Sequence, residues 1–171
     1  MKFIFLCFTV ILFVLSPGLA GAGSSSARVD LNADEIAPRA IEDLTSKSII
    51  RDYGLAWQAL RDALDHDRPE ALDGYFTGFA RDEFSRLIQS QKKTGVRVRY
   101  TDQSHKLTAI FYSPSGDALQ LKDRATLETQ IMDGSKVLRT EQTPRSYLVL
   151  MTPGADRWLV RDLETVPEGR P

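Results

Sequence analysis

The stretch Tyr147–Val166, YLVLMTPGADRWLVRDLETV, decides the fold. Two β-rich runs flank Thr152-Pro153-Gly154-Ala155-Asp156, the composition of an antiparallel hairpin with a five-residue connection. Tyr147, Leu148, Val149, Leu150 and Met151 are apolar without alternation, which predicts a central strand covered on both faces. Trp158 opens the return strand and brings the largest side chain available to a core. The remaining chain extends or covers this hairpin.

Upstream, Leu119–Ile131 alternates with period two. Its odd positions are Leu119, Leu121, Asp123, Ala125, Leu127, Thr129 and Ile131, and its even positions are polar, so the odd face meets the core. Asp133-Gly134 signals a tight hairpin, and Val137–Met151 returns antiparallel, with Pro144 predicting a bulge or bend in its middle. Val96, Val98 and Tyr100 alternate with Arg97 and Arg99 as a strand with one wet face. Lys106–Tyr112 reads as a further strand, closed by Ser113–Asp117.

Before Gly95 the period is helical. Ile49, Ile50, Tyr53, Ala56, Trp57, Leu60 and Leu64 form one stripe over Ser46–Asp65, capped by Thr45 or Ser46. Pro69 suits the first position of a short second helix. Thr77 caps a third, running to Thr94, with Phe79, Phe84, Leu87 and Ile88 as its buried stripe and Gly95 as its left-handed stop. Helices leading into a meandering antiparallel sheet make an α+β layer architecture.

The first 22 residues are not fold. Lys2, the apolar run Phe3–Leu15, Ser16-Pro17-Gly18 and Ala20-Gly21-Ala22 have the order of a secretory signal peptide cleaved after Ala22. The run is shorter than the roughly twenty residues that span a bilayer, so an uncleaved anchor is the weaker alternative. The domains expected are a signal peptide at 1–22, a flexible tether at 23–45, an α+β domain at 46–166 and a tail at 167–171. The location is secreted or periplasmic, with no transmembrane segment after cleavage. The one cysteine, Cys7, lies inside the leader, so disulfides, thiol catalysis and cysteine metal sites are excluded from the mature chain. A net charge of −1 gives no field for nucleic acid.

IIRDYGLAWQALRDALDHDRPEALDGYFTG, Ile49–Gly78, together with a third helix and a meander ending in Tyr147–Val166, resembles the nuclear-transport-factor-two-like, or cystatin-like, superfamily. Within it the pattern is most similar to the IMS-type domain of plastid-division and related bacterial proteins. The carriers are the Trp57 helix, the Leu72–Gly78 joint and the Trp158 strand. The resemblance implies a cone, a curved antiparallel sheet around helices with a cavity at its open end. It also implies either acid–base enzymes or non-catalytic binding and dimerisation modules, so a homodimer is among the expectations.

Chemistry in such a cone needs polar groups on an apolar inner wall. Asp123 is the one charge on the odd face of its strand, and Asp162 shares a face with Trp158 and Val160. Either would serve as a general base, its charged form disfavoured by burial. Tyr53 and Tyr100 would polarise a ligand oxygen, and Trp57 and Trp158 would wall the cavity. Against this stands the plain alternative that Asp123 marks a kink or pairs with Arg139, Arg145 or Arg161. His66 and His105 have no partner at metal-ligand spacing, so no metal and no cofactor is expected. Lys92, Lys93, Arg97 and Arg99 read as a helix end beside a wet strand face. The expectation is a non-catalytic module binding a protein or an apolar small molecule, with a small acid–base enzyme using Asp123 or Asp162 as the alternative.

Overall fold

The structure, a computed structural model, describes residues 27–167; the leader expected at 1–22 and the tail beyond Pro167 lie outside the described residues. Five strands form one sheet in the order β1-β2-β3-β4-β5. They are β1 (Arg28–Asn32), β2 (Val96–Tyr112), β3 (Leu119–Asp133), β4 (Lys136–Pro153) and β5 (Trp158–Val166). Two helices, α1 (Asp43–Asp65) and α2 (Gly78–Thr94), joined by a 3-10 turn at Pro69–Gly74, cover one face. Among the described residues no helix is long and apolar enough to cross a membrane.

The stripe read from the sequence is the buried face of α1: Ile49, Tyr53, Ala56, Trp57, Leu60 and Leu64 are all 3% exposed or less. It meets the odd face of β3, where Leu119, Leu121, Asp123, Ala125 and Leu127 are buried. Gly95 ends α2 in the left-handed conformation, φ 72°, with its N–H on the Gln91 carbonyl. The β3–β4 hairpin turns on Gly134 (φ 56°), with Asp133 facing Lys136.

Several expectations are corrected. Part of the supposed tether is β1, which runs parallel to β2 and makes the sheet mixed rather than wholly antiparallel. Val29 and Leu31 give it an inward face, so it packs against the core rather than swinging free. Helix α1 begins at Asp43 behind Glu42, before Thr45 and Ser46. The two strands expected at 96–100 and 106–112 are one, β2, with register shifts between Asp102 and Ser104 and between Ala109 and Phe111. Phe79 is 73% exposed rather than buried, because it stands in the first turn of α2, which packs through Ala80, Phe84, Leu87 and Ile88.

Strand β4 is covered on one face only. Tyr147, Val149 and Met151 are buried, whereas Leu148 and Leu150 are half-exposed on the outer face. The irregularity in its pairing with β3 sits beside Leu138, not at Pro144. Pro144 fits a regular strand because β5 reaches only Ser146–Pro153, so beyond it β4 has no partner for the missing N–H.

Strand β5 is strapped at its start. The Thr77 N–H donates to the Val160 carbonyl and the Val160 N–H to the Tyr75 carbonyl, both at 2.9 Å. The pairing with β4 then jumps from Met151–Val160 to Leu150–Asp162, leaving Arg161 as the extra residue of a bulge.

Gln91, 3% exposed, closes the far edge of β2. Its Oε1 accepts the Val98 N–H at 2.8 Å and its Nε2 donates to the Leu64 carbonyl at 3.4 Å. That stretch of β2 lies outside the segment covered by β1, Ser104–Thr108. A leucine would strip the partner from the buried Leu64 carbonyl and from the half-buried Val98 N–H, at a cost of about 1–3 kcal/mol. We predict that Gln91→Leu lowers the stability measured by urea denaturation by that amount at an unchanged slope. A loss under about 0.5 kcal/mol would contradict this role for the amide.

Candidate functional site

Tyr53, Trp57 and Arg61 are spaced by four on α1 and form one row pointing at the sheet. Beneath them lie His105 and Asp102 of β2 and Asp123 of β3. His105 Nδ1 and the Tyr53 hydroxyl both lie 2.8 Å from Asp123 Oδ2, so imidazole and phenol donate to one carboxylate oxygen. Arg61 Nη1 donates to Asp102 Oδ1 at 2.8 Å. At 3.7 Å, His105 Nε2 and Asp102 Oδ2 form an ion pair rather than a hydrogen bond. Trp57 lies over the imidazole with centroids 4.7 Å apart, and Tyr53 meets it edge-on at 5.5 Å.

The register shift at Gln103 makes this cluster. In a regular strand Asp102 and His105 point to opposite faces, but the extra residue brings both inward, Asp102 opposite Leu127 and His105 opposite Ala125. Asp123 is conspicuous in the sequence as the lone charge on an apolar face. Nothing in the spacing of Asp102 and His105 marks them as partners, and so His105, Asp102 and Arg61 were not among the expected site residues. Asp123 pairs with His105 and Tyr53, not with Arg139, Arg145 or Arg161.

The cluster is sealed. Tyr53 and His105 are 0% exposed and Asp123 1%. Burial alone would lower the His105 pKa, but the nearby Asp102 carboxylate and the hydrogen-bonded Asp123 carboxylate outweigh it and hold the imidazole above its ordinary value. Burial would raise the Asp102 pKa; the adjacent His105 imidazole and a hydrogen bond from its own backbone, with the Arg61 charge, hold it below its ordinary value. Tyr53 is pushed well above the ordinary tyrosine range, by burial first and then by the Asp123 charge, so it stays a hydrogen-bond donor. Among the described residues, four buried polar atoms of this cluster lack a protein partner: Trp57 Nε1, Asp102 Oδ2, His105 Nε2 and Asp123 Oδ1.

The other expected site residues are placed elsewhere. Tyr100 is half-buried on β2 opposite Thr129, and burial raises its pKa. Trp158 packs its ring on Tyr112, while its backbone N–H donates to the buried Asp52 carboxylate at 2.8 Å. Asp162 is not beside Trp158 and Val160: the bulge at Arg161 turns it to the outer face opposite Leu150, with Oδ1 accepting the Leu163 N–H. In the basic cluster, Arg97 pairs with Asp67 and Arg99 with Asp65, while Lys92 and Lys93 occupy the last turn of α2.

The outer face of the sheet carries a groove of about 860 Å³, open to solvent. It crosses four strands, with Lys106 and Thr108 from β2, Lys122 and Arg124 from β3, Ser146 and Leu148 from β4, and Val166 at the end of β5.

A bent, unclosed five-stranded sheet with α1 laid across its inner face and a short strapped joint before α2 is the cystatin-like, or nuclear-transport-factor-two-like, fold. In that fold the chain is similar to the crystal structure of the intermembrane space region of the chloroplast protein ARC6. The TM-score is 0.63 at 12% identity, over 75% of this chain and 98% of that one. It is also similar to ActVI-ORFA from Streptomyces coelicolor, with a TM-score of 0.50 at 12% identity over 72% and 98% of the two chains. No protein-family model and no curated protein matches the sequence.

The buried cluster sets a pH dependence. The folded pKa of His105 lies above the ordinary 6.5, so its stabilisation is complete below that pH and is withdrawn as pH rises through the raised value. Asp102 acts oppositely: its contribution is present above 3.8 and is lost as pH falls through the lowered value. Urea midpoints should fall for the wild type as pH rises above about 6.5. In His105→Gln that fall should be absent and the midpoint lower throughout. Parallel pH profiles for the two proteins would contradict the charged state assigned to His105.

Proposed function

We propose that the chain is an exported, non-catalytic interaction module that meets a protein or an apolar small molecule across the outer face of its sheet. One observation carries the reading. The inner carboxylate a cone enzyme would use is sealed, hydrogen-bonded to Tyr53 and His105 and roofed by Trp57, while the groove open to solvent lies on the opposite face. Acid–base catalysis needs the base within reach of a substrate proton, about 2.6–3.2 Å or one water away. Export rests on Lys2, the Phe3–Leu15 run and Ala20-Gly21-Ala22 in the sequence.

A second reading has its own support. Asp123 Oδ1 and His105 Nε2 are buried without a hydrogen-bond partner, the arrangement a small acid–base enzyme would keep for its substrate. That reading requires Trp57 to move aside.

Nuclear magnetic resonance separates the two. Titration with apolar fragments and short peptides should shift the amides of Thr108, Lys122, Ser146 and Leu148 and leave the Trp57 indole and the His105 ring unmoved. Saturable shifts at Trp57 and His105 with a silent outer face would overturn the module in favour of the enzyme.

A further inference from the structure

The groove has a polarity of its own. Strand register sets Lys106 directly opposite Arg124, and Lys122 lies two residues before Arg124 on the same face. Like charges directly opposed across a sheet destabilise it. Among the described residues none of these three cations forms an ion pair. The acid beside Lys106 in register, Asp30 on β1, pairs with Arg28. Moving across the strands, Arg124 faces Ser146, which faces Val166, and Lys122 faces Leu148. The acid in that row, Glu164, lies on β5 beyond Leu148. One end of the groove is therefore cationic with the Thr108 hydroxyl beside it, and the other is apolar, with Leu148, Val166 and Pro144.

From these placements we infer that the groove takes an extended acidic segment of a partner protein, with carboxylates over Lys106, Lys122 and Arg124 and apolar side chains over Leu148 and Val166. The inference rests on the interaction-module reading and names its partner chemistry. Three uncompensated cations ask for more than one negative charge, which a single fatty-acid or acetate head does not supply. From β2 to β5 is about 14 Å at the usual strand spacing, a length spanned by about four or five residues of extended chain. The whole protein has a net charge of −1, so the attraction is local to this face and is screened by salt.

The test uses the folded chain and a capped peptide in which two glutamates precede three apolar residues, with the two-glutamine peptide as control. Calorimetry should show the glutamate peptide binding at least about tenfold tighter than the control, with the difference shrinking as salt rises from about 0.05 to about 0.5 M. Lys122→Glu with Arg124→Glu should abolish the preference, and Lys122→Gln with Arg124→Gln should reduce it, both with urea midpoints no lower than wild type, since the repulsion between Lys106 and Arg124 is relieved. Lys92→Glu with Lys93→Glu, at the end of α2, should leave binding within about twofold. Equal binding of the two peptides, or binding that ignores the Lys122 and Arg124 changes, overturns the inference. Tighter binding of phosphatidylglycerol vesicles through the same residues also overturns it, in favour of a lipid surface. If the acidic peptide fails while neutral apolar ligands still shift Ser146 and Leu148, the interaction module stands without this partner. If no ligand shifts the outer face, both readings fall.

Discussion

Two carboxylates lie beneath a helix, and the interior is arranged around keeping them compensated. Asp102 and Asp123 are 5% and 1% exposed, and an isolated buried carboxylate is prohibitively costly. Here His105 lies between them, Arg61 reaches in from α1, and the Tyr53 hydroxyl supplies a further donor. With the imidazole protonated the four ionised groups sum to zero. Helix α1 must present Tyr53, Trp57 and Arg61 in line, and β2 must slip register at Gln103. Neither feature makes sense alone, since without the bulge Asp102 faces solvent and Arg61 has no acid to meet.

How far the sequence foretold this depends on the reach of each signal. Patterns carried by one segment were legible. The α1 stripe, the odd face of β3, the Asp133-Gly134 turn and the Gly95 stop are local in period or in backbone preference, and they stand as read. The features that escaped are set by register between segments. The shift at Gln103 joins two apparent strands into one and turns Asp102 inward. The shift at Arg161 turns Asp162 outward and away from Trp158. A period-two reading assumes an unbroken strand, and one extra residue reverses every face beyond it. Strand β1 was missed for a related reason. Five residues with two apolar side chains carry too little pattern, and only the open edge of β2 makes a strand of them. Asp123 was found because its neighbours are apolar; His105 was not, because its partners come from other elements.

The two faces of the sheet have separate duties. The inner face is filled by Tyr53, Trp57, Tyr147 and the charge cluster, with aromatic rings in mutual contact. The outer face keeps its cations and its half-exposed leucines facing water. Strand β4 belongs to both: Tyr147 seals the interior and Leu148, the next residue, lines the groove. The hollow expected between helix and sheet is filled, and the back of the sheet is left open.

The strap that holds the start of β5 has a consequence for how copies of this chain behave when crowded. An open strand border is a template on which another chain can zip, and long, flat, uncharged borders are the starting points of fibrils. On this border Tyr75 and Thr77 already occupy the hydrogen-bonding groups of Val160, and the bulge at Arg161 twists the remainder of the strand. The unpaired length of β4 carries Lys136, Arg139, Glu141, Pro144 and Arg145, which a zipping neighbour would have to bury. Concentrated solutions of the folded protein are thereby guarded against growing end on end into ribbons.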